Sequence, residues 1–184
     1  MNRQRAFLSA LCAALIAALL AALYAGSQRT QRLPQAAAAL TTEALAPLFA
    51  SRFEDPYGKL YSFSPWRGKT LLVNFWATWC PPCREEMPVF SRLQDRYATR
   101  GVQFVGIALD SADKVRVFAE SHPLSYPLLI GGSAGVDLAG QLGNHSLSLP
   151  FTVLISADRD LLLVRLGPLS ESELDLLLQR SLAR

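Results

Sequence analysis

The chain has 184 residues, of which 51% are hydrophobic and 18% charged, and its formal net charge at pH 7 is +3. This length fits one globular domain with an apolar appendage, and the mild charge argues against nucleic acid as a partner. Three cysteines, two of them in one short motif, are too few for a disulfide-stapled secreted scaffold.

The N-terminal segment has the composition of a membrane anchor. Residues 1–5 contain Arg3 and Arg5, and residues 6–26 are almost wholly apolar. A run of about 20 apolar residues spans a bilayer core of roughly 30 Å, whereas the apolar region of a cleaved signal peptide has about 7–15 residues. We therefore predict an uncleaved transmembrane helix at 6–26, with a cleaved signal as the alternative. Cys12 would fill space within this helix.

The orientation of the predicted helix depends on a small bias. Arg3 and Arg5 on one side are nearly balanced by Arg29 and Arg32 on the other, so the basic residues alone hardly decide it. The brevity of the leading segment favours a cytoplasmic N-terminus, which would place the rest of the chain outside the cytoplasmic membrane. Residues 27–46, rich in alanine, glutamine and threonine, are predicted as a tether.

Residues 47–184 carry the pattern of one α/β domain. Continuous apolar runs at 70–77 and 102–109 predict central strands that are buried on both faces. Helical periodicity follows each run, and a predicted hairpin precedes a last helix that begins with the capping box Ser170-Glu-Ser-Glu173. Alternating elements that close with a hairpin and a helix predict a three-layer α/β sandwich around a mixed sheet.

The first central strand leads directly into Trp79-Cys80-Pro-Pro-Cys83 and a helical pattern. This order places Cys80 at the start of a helix and Cys83 one turn inside it. The unpaired N–H groups and partial positive charge of a helix N-terminus favour a thiolate, which is the species that attacks disulfides. We therefore predict dithiol–disulfide exchange, with the more exposed Cys80 as nucleophile and Cys83 as the resolving thiol.

Two other interpretations of the cysteine pair are weaker. A static disulfide across so short a loop gains little chain-entropy stabilisation. A structural zinc site needs four ligands, and beyond Cys80 and Cys83 the chain offers Cys12, His122 and His145. Because Cys12 lies in the apolar N-terminal run, it is not a credible ligand, and no metal site is predicted.

The chain resembles the membrane-anchored, TlpA-like branch of the thioredoxin family over residues 47–182. Two segments carry the resemblance, Gly68-Lys-Thr-Leu-Leu-Val-Asn-Phe-Trp-Ala-Thr-Trp-Cys-Pro-Pro-Cys-Arg-Glu-Glu-Met-Pro88 and Leu149-Pro-Phe-Thr-Val-Leu-Ile155. The resemblance implies a thioredoxin-like fold and a thiol-disulfide reductase of the bacterial cell envelope, with a single-pass anchor in the inner membrane and its domain in the periplasm. It implies no cofactor beyond the redox-active disulfide of Cys80 and Cys83.

The resemblance also implies substrate-binding residues. Leu149 and Pro150 match the family's cis-proline loop, whose backbone pairs with an extended segment of the substrate in the manner of an added strand. An ordinary trans proline that opens a strand is the alternative. Trp79, directly before Cys80, would cover the active-site surface, or else it would belong to the core.

Glu86 is the third predicted catalytic residue. The TlpA-like branch places a glutamate at this position, where it would accept the proton of Cys83 during exchange. Asn74 supports this role, because general thioredoxins carry a buried aspartate there and an asparagine cannot take a proton. The other interpretation of Glu86 is an exposed acid favoured by the helix dipole.

Pro81 and Pro82 affect the expected redox potential. If they occupy the first two helical positions, two N–H donors to the Cys80 thiolate are missing, which leaves mainly the amide of Cys83. A less stabilised thiolate makes the reduced form less favoured. We expect a potential nearer to thioredoxin's, about −270 mV, than to the roughly −120 mV of a strong oxidase. The alternative is that the prolines merely make the turn rigid.

The implied partners are disulfide-containing exported proteins, with apocytochrome c among the candidates, and a membrane thiol-disulfide electron carrier as reductant. Two other functions could use the same motif. A copper-binding assembly factor on this fold would use the two cysteines together with His145. A thiol peroxidase would use Thr78 beside Cys80, although the partner arginine of such sites is not evident in the sequence.

Overall fold

The computed structural model of the protein describes residues 43–183, so the anchor predicted at 6–26 lies outside the described residues. The strands in this part of the chain are β1 (Arg52–Glu54), β2 (Leu60–Ser62), β3 (Thr70–Trp76), β4 (Val102–Ala108), β5 (Leu128–Ile130), β6 (Phe151–Ile155) and β7 (Leu161–Leu166). Its α-helices are α1 (Ala46–Ala50), α2 (Pro81–Tyr97), α3 (Ala112–Ser121), α4 (Gly132–Gln141) and α5 (Glu171–Leu182). Within residues 43–183, no helix has the length and apolar character needed to cross a membrane.

The strands form one mixed sheet, as the sequence predicts, in the order β2-β1-β5-β4-β3-β6-β7. The central strand β3 pairs in parallel with β4 and antiparallel with β6. Every residue of β3 is buried, which explains why its sequence is largely apolar. Because β3 ends at Trp76 in the middle of the sheet, the cysteine motif that follows is placed at the edge formed by the carboxyl ends of β3 and β4.

Side chains alternate between two cores, one on each face of the sheet. Leu72 and Trp76 of β3 pack under α2, α3 and α5, whereas Leu71, Val73 and Phe75 pack against α1 and α4. Successive residues of a strand point to opposite faces, so β3 places its remaining interior residue, Asn74, on the same face as α2. Opposite Asn74 in the antiparallel pairing stands Thr152 of β6. The layers therefore bring two polar strand residues beneath the helix that carries the cysteines.

Several element boundaries differ from the predicted ones. The last residues of the stretch predicted as tether belong to the folded domain, because Leu45 is buried in the core directly before α1. β5 starts at Leu128, directly after Pro127, which has no N–H for the ladder. Ser170 caps α5 as predicted by accepting the N–H of Glu173, but the Glu173 carboxylate pairs with Arg165 of β7 instead of completing a capping box.

Candidate active site

The two cysteines occupy the start of α2, as predicted. Cys80 is the N-cap residue with extended backbone, and Pro81 and Pro82 fill the first helical positions. A disulfide joins Cys80 to Cys83, whose Cα atoms are 5.3 Å apart, and the N–H of Cys83 donates to Cys80 Sγ at 3.3 Å. The amide of Cys83 is thus the helix N-terminal donor to this sulfur, as expected from the missing N–H groups of the two prolines.

Exposure differs sharply along the motif. Cys83 is fully buried and Cys80 is 3% exposed, so the order of exposure is as predicted, although Cys80 is itself nearly covered. Trp79, the residue before Cys80, is 65% exposed, which agrees with a position on the active-site surface and not in the core. The Trp79 side chain is therefore available to a partner that approaches Cys80.

Glu86 of α2 is buried, so its interpretation as an exposed helix acid is wrong. The residue is 4% exposed, because the segment before α5 packs over it. Its Oε1 accepts an N–H of Asn74 at 2.9 Å, and its Oε2 accepts the backbone N–H of Leu169 at 3.0 Å. Burial raises the pKa of Glu86 from 4.5 to about 7, although the bonds from Leu169 and Asn74 favour the ionised form.

A groove gives solvent a route to this buried carboxyl group. It has a volume of about 430 Å³ and borders Glu86. Its walls include Pro82, Glu85 and Val89 of α2 and, across from them, Pro168, Leu169 and Glu171. A carboxyl group with a pKa of about 7 at the wall of an open groove can exchange protons with water while Cys83, one turn away on the same helix, stays buried.

The loop before β6 presents a cis-proline beside the sheet edge. The peptide bond between Leu149 and Pro150 is cis, which confirms that prediction. The buried side chain of Asn144 braces this loop, because its amide donates to the C=O of Ser148 at 3.0 Å and accepts the N–H of Ser148 at 3.1 Å. Within residues 43–183, the N–H and C=O of Leu149 have no hydrogen-bond partner. They remain free to pair with an extended segment of another chain.

One short segment connects the cis-proline loop to the buried carboxyl group. The N–H of Gly167 donates to the C=O of Pro150 at 2.8 Å, and two residues later the N–H of Leu169 donates to Glu86. Gly167 has a φ of +91°, a conformation that glycine adopts without strain. This segment, residues 167–169, therefore holds the cis-proline loop and the predicted proton acceptor in a common framework.

The residues before Cys80 are fixed by a carboxylate at the end of β4. The Thr78 hydroxyl group donates a hydrogen bond to the carboxylate of Asp110. This carboxylate also accepts a hydrogen bond from the N–H of Ser111 at 2.8 Å and forms an ion pair with Lys114 at 3.2 Å. Although burial favours the neutral acid, these hydrogen bonds and the Lys114 charge lower the pKa of Asp110. The Thr78 hydroxyl is directed to Asp110, whereas the peroxidase alternative would need it at Cys80.

The predicted copper ligands do not come together. His145 is exposed on the surface of the cis-proline loop. Over the described range 43–183, no three His, Cys, Asp or Glu side chains lie close enough to hold a metal ion, so His145 does not form such a group with Cys80 and Cys83.

Three contributors to the site were not identified from the sequence, namely Thr152, Asn144 and Asp110. Thr152 had a usable signal, because it is the polar residue of an otherwise apolar strand, as Asn74 is in β3. Polar side chains inside buried strands almost always hydrogen-bond, and two of them in neighbouring strands predict a bonded pair. Asn144 and Asp110 hydrogen-bond to residues of loops, and the sequence contains no comparable pattern from which those contacts could be predicted.

Comparison with known proteins decides the family. The Redoxin family matches residues 37–178 of this chain. The chain belongs to the redoxin family.

Relatives of this redoxin are named for thiol-disulfide chemistry. It is 33% identical over 123 residues to the thioredoxin-like protein YneN of Bacillus subtilis, covering 64% of this chain and 68% of that protein. It is 30% identical over 138 residues to the thiol-disulfide oxidoreductase ResA of Geobacillus kaustophilus, covering 74% and 76% of the two chains. The resemblance to the TlpA-like branch is confirmed, and the redoxin is a thiol-disulfide oxidoreductase.

A solved structure agrees with the fold. The thiol:disulfide interchange protein of the thioredoxin family from Chlorobium tepidum superposes with a TM-score of 0.66 at 29% identity, covering 72% of this chain and 92% of that chain. The predicted thioredoxin-like α/β fold with a mixed sheet is therefore confirmed for the described domain.

Proposed function

We propose that this redoxin reduces disulfides in exported proteins, with Cys80 as the nucleophile, Cys83 as the resolving thiol and Glu86 as the proton acceptor. One observation carries the proposal. The disulfide of Cys80 and Cys83 stands at a helix N-terminus, and a buried carboxyl group with a pKa of about 7 lies one turn further along the same helix. A carboxyl group that titrates near neutral pH is suited to take and return a thiol proton at physiological pH.

The proposed reaction transfers two electrons from the dithiol to the substrate. The Cys80 thiolate attacks one sulfur of the substrate disulfide, which forms a mixed disulfide and releases a substrate thiolate. Glu86 accepts the proton of Cys83, and the resulting thiolate attacks Cys80 Sγ. This second step forms the disulfide of Cys80 and Cys83 and releases the other substrate thiolate.

Leu149, Pro150 and Trp79 are proposed to position the substrate. The N–H and C=O of Leu149, which have no partner among residues 43–183, can add an extended substrate segment to the loop by main-chain hydrogen bonds. Such bonds do not depend on the side chains of the substrate, which suits an enzyme with several protein partners. The exposed Trp79 ring would contribute apolar contact next to the attacking sulfur.

The location and the reductant are also part of the proposal. The apolar run at 6–26 supports a single-pass anchor in the inner membrane, with residues 1–5 in the cytoplasm and the redoxin domain in the periplasm. In that compartment a membrane thiol-disulfide electron carrier would reduce Cys80 and Cys83, and apocytochrome c is a candidate substrate. The names of the ResA relatives support disulfide chemistry of this kind.

A trapping experiment tests the function. In the Cys83→Ala variant no thiol can resolve the mixed disulfide, so substrates are expected to remain bound to Cys80. The full chain, expressed in a bacterial host, would be isolated after thiol blocking, and its partners identified by mass spectrometry before and after reduction. The doubly substituted chain, Cys80→Ser with Cys83→Ala, is the control and should capture nothing. Equal capture by the control, or capture of cytoplasmic proteins alone, would contradict the proposal.

A redox titration tests the consequence of the two prolines. Because Pro81 and Pro82 cannot donate to Cys80, we expect the dithiol to have a potential nearer about −270 mV than about −120 mV. The Pro82→His variant regains one backbone N–H and should therefore become more oxidising. Equilibration with glutathione or dithiothreitol buffers, followed by thiol alkylation, would measure both potentials. A parent value near −120 mV would show that missing donors do not govern this couple.

A further inference from the structure

We propose that Thr152 is a positioning residue, whose hydroxyl group orients the side-chain amide of Asn74 so that an N–H is presented to Glu86. The inference deepens the proposed function and rests on it, because it concerns the residue that would set the proton affinity of the acceptor. Thr152 belongs to none of the groups that the sequence assigned to the site.

The geometry places three polar side chains in a row. Asn74 Nδ2 lies 2.9 Å from Glu86 Oε1 and 2.9 Å from Thr152 Oγ1. Asn74 and Thr152 stand opposite each other in the antiparallel pairing of β3 and β6, and both are fully buried. The amide nitrogen has two hydrogens, so these two contacts use both of them. The amide oxygen, Asn74 Oδ1, has no partner among the described residues.

The orientation of this amide matters because its two ends have opposite effects on Glu86. An N–H directed at the carboxylate stabilises the ionised form, whereas the amide oxygen in the same place would repel it and would bond only to the protonated acid. In the observed orientation the hydroxyl oxygen of Thr152 accepts one N–H of the amide, which holds the other N–H at Glu86 Oε1.

Removal of the hydroxyl affects the two protonation states of Glu86 unequally. With valine at position 152, the observed orientation leaves a buried N–H of Asn74 without an acceptor. A turned amide would be worse, because both of its N–H groups would then lie where Oδ1 now lies, a position with no partner among the described residues. The amide therefore keeps its orientation, but without the Thr152 oxygen one of its two anchors is gone and the other N–H is held less firmly against Glu86 Oε1. A weaker bond from Asn74 stabilises the ionised form of Glu86 less. Thr152→Val should therefore favour the protonated acid and raise the pKa of Glu86.

Other ionisable groups surround Glu86 but are the same in the parent and the variants. Besides Cys80 and Cys83, they are Glu85 on α2, Tyr126 before β5, and Glu171 and Glu173 on α5, the last of which pairs with Arg165. The neighbours on β3 and β6 are the neutral Asn74 and Thr152. With the disulfide intact the cysteines do not titrate, so a difference between variants reports the amide contact.

The test is a direct titration of Glu86 in the full chain, kept in a mild detergent and with its disulfide oxidised. Glutamate labelled with ¹³C at the side-chain carboxyl group would be followed by NMR between pH 5 and 9, and the Glu86→Gln variant would assign the resonance. We expect Thr152→Val to shift the midpoint upward by up to about one pH unit, the scale of one hydrogen bond to a charged group if the bond from Asn74 is largely lost. Thr152→Ser, which keeps the hydroxyl but loses the buried methyl group, should titrate as the parent does.

The matched variants separate positioning from packing. Thr152→Ser is expected to be less stable than the parent because it loses a buried methyl group. Its Glu86 should nevertheless titrate at the same pH as in the parent. If the valine variant does not fold, Thr152→Ala also lacks the hydroxyl and should show the same upward shift. An unshifted or lowered midpoint in the variant without a hydroxyl would overturn the inference, as would an equal shift in Thr152→Ser. The role of Glu86 in catalysis is tested separately by its own pH–rate profile.

Discussion

Cys80→Ser is expected to lower disulfide reductase activity by a factor on the order of 10³ or more, the scale of loss when a catalytic nucleophile is removed. A serine hydroxyl at the start of α2 is not ionised at neutral pH, so the helix N-terminus has no thiolate to stabilise. Reduction of insulin disulfides by the full chain, with dithiothreitol as the electron source, would measure the loss.

The third cysteine supplies the control for this experiment. Cys12 lies in the apolar N-terminal run, away from the motif in sequence, and Cys12→Ser should leave the activity unchanged. Cys83→Ser should also lose turnover, but it should retain a single, stoichiometric reaction with a disulfide because Cys80 is still present. Near-parental turnover by Cys80→Ser would exclude Cys80 as the nucleophile and would point to Cys83 despite its complete burial.

Glu86→Gln is expected to lower activity at pH 8 by about 10²-fold and to remove the rise in rate that the parent shows as pH increases through about 7. Below this pH the parent carboxyl group is protonated and cannot accept the proton of Cys83. Above it the group is ionised and the resolving step proceeds. Rates between pH 5.5 and 8.5 for the parent and the variant would test this. The exposed neighbour provides a matched control, because Glu85→Gln removes a carboxylate from the same helical turn.

Stability measurements test the same raised pKa without reference to catalysis. Since the pKa of Glu86 is about 7 in the folded chain and 4.5 ordinarily, the unfolded chain releases this proton first as pH rises. The contribution of the protonated acid is complete below about pH 4.5 and is lost as pH rises through about 7. Between pH 5 and pH 8 the free energy of unfolding should fall by roughly 2 to 3 kcal/mol from this group.

Urea unfolding of the parent, Glu86→Gln and Glu85→Gln at the two pH values would measure that difference. Glutamine cannot titrate, so Glu86→Gln should lack this part of the pH dependence, whereas Glu85→Gln should keep it. If all three proteins lost stability in parallel, Glu86 would have an ordinary pKa in the folded chain. Its role as a proton acceptor near neutral pH would then be untenable.

The sequence predicted those parts of the site that are determined locally. A strand, a cysteine and two prolines in succession specify where a helix begins, so the positions of Cys80 and Cys83 followed from neighbouring residues. The two helix layers that cover the sheet were also predictable from the sequence, because β3 and β4 have the largely apolar sequence that burial on both faces requires.

Contacts between distant parts of the chain could not be predicted in the same way. The pattern of α2 leaves the exposure of Glu86 open, because burial of a helix acid depends on which segment packs over it. Here that segment includes Leu169, which is separated from Glu86 by 83 positions. The bond between Asn74 and Thr152 likewise depends on the register of β3 with β6, and single-sequence patterns do not specify register between strands that lie far apart in the chain.

The segment 167–169 has a consequence for how this redoxin tolerates substitution. Both of its bonds to the site are donated by main-chain N–H groups, one to Pro150 and one to Glu86. Exchange of the side chain at position 169 for any residue but proline keeps the donor that reaches Glu86. Insertion or deletion of a single residue would misplace both donors at once. Spacing along this turn, more than chemical identity, is thus the property that homologous enzymes would have to preserve.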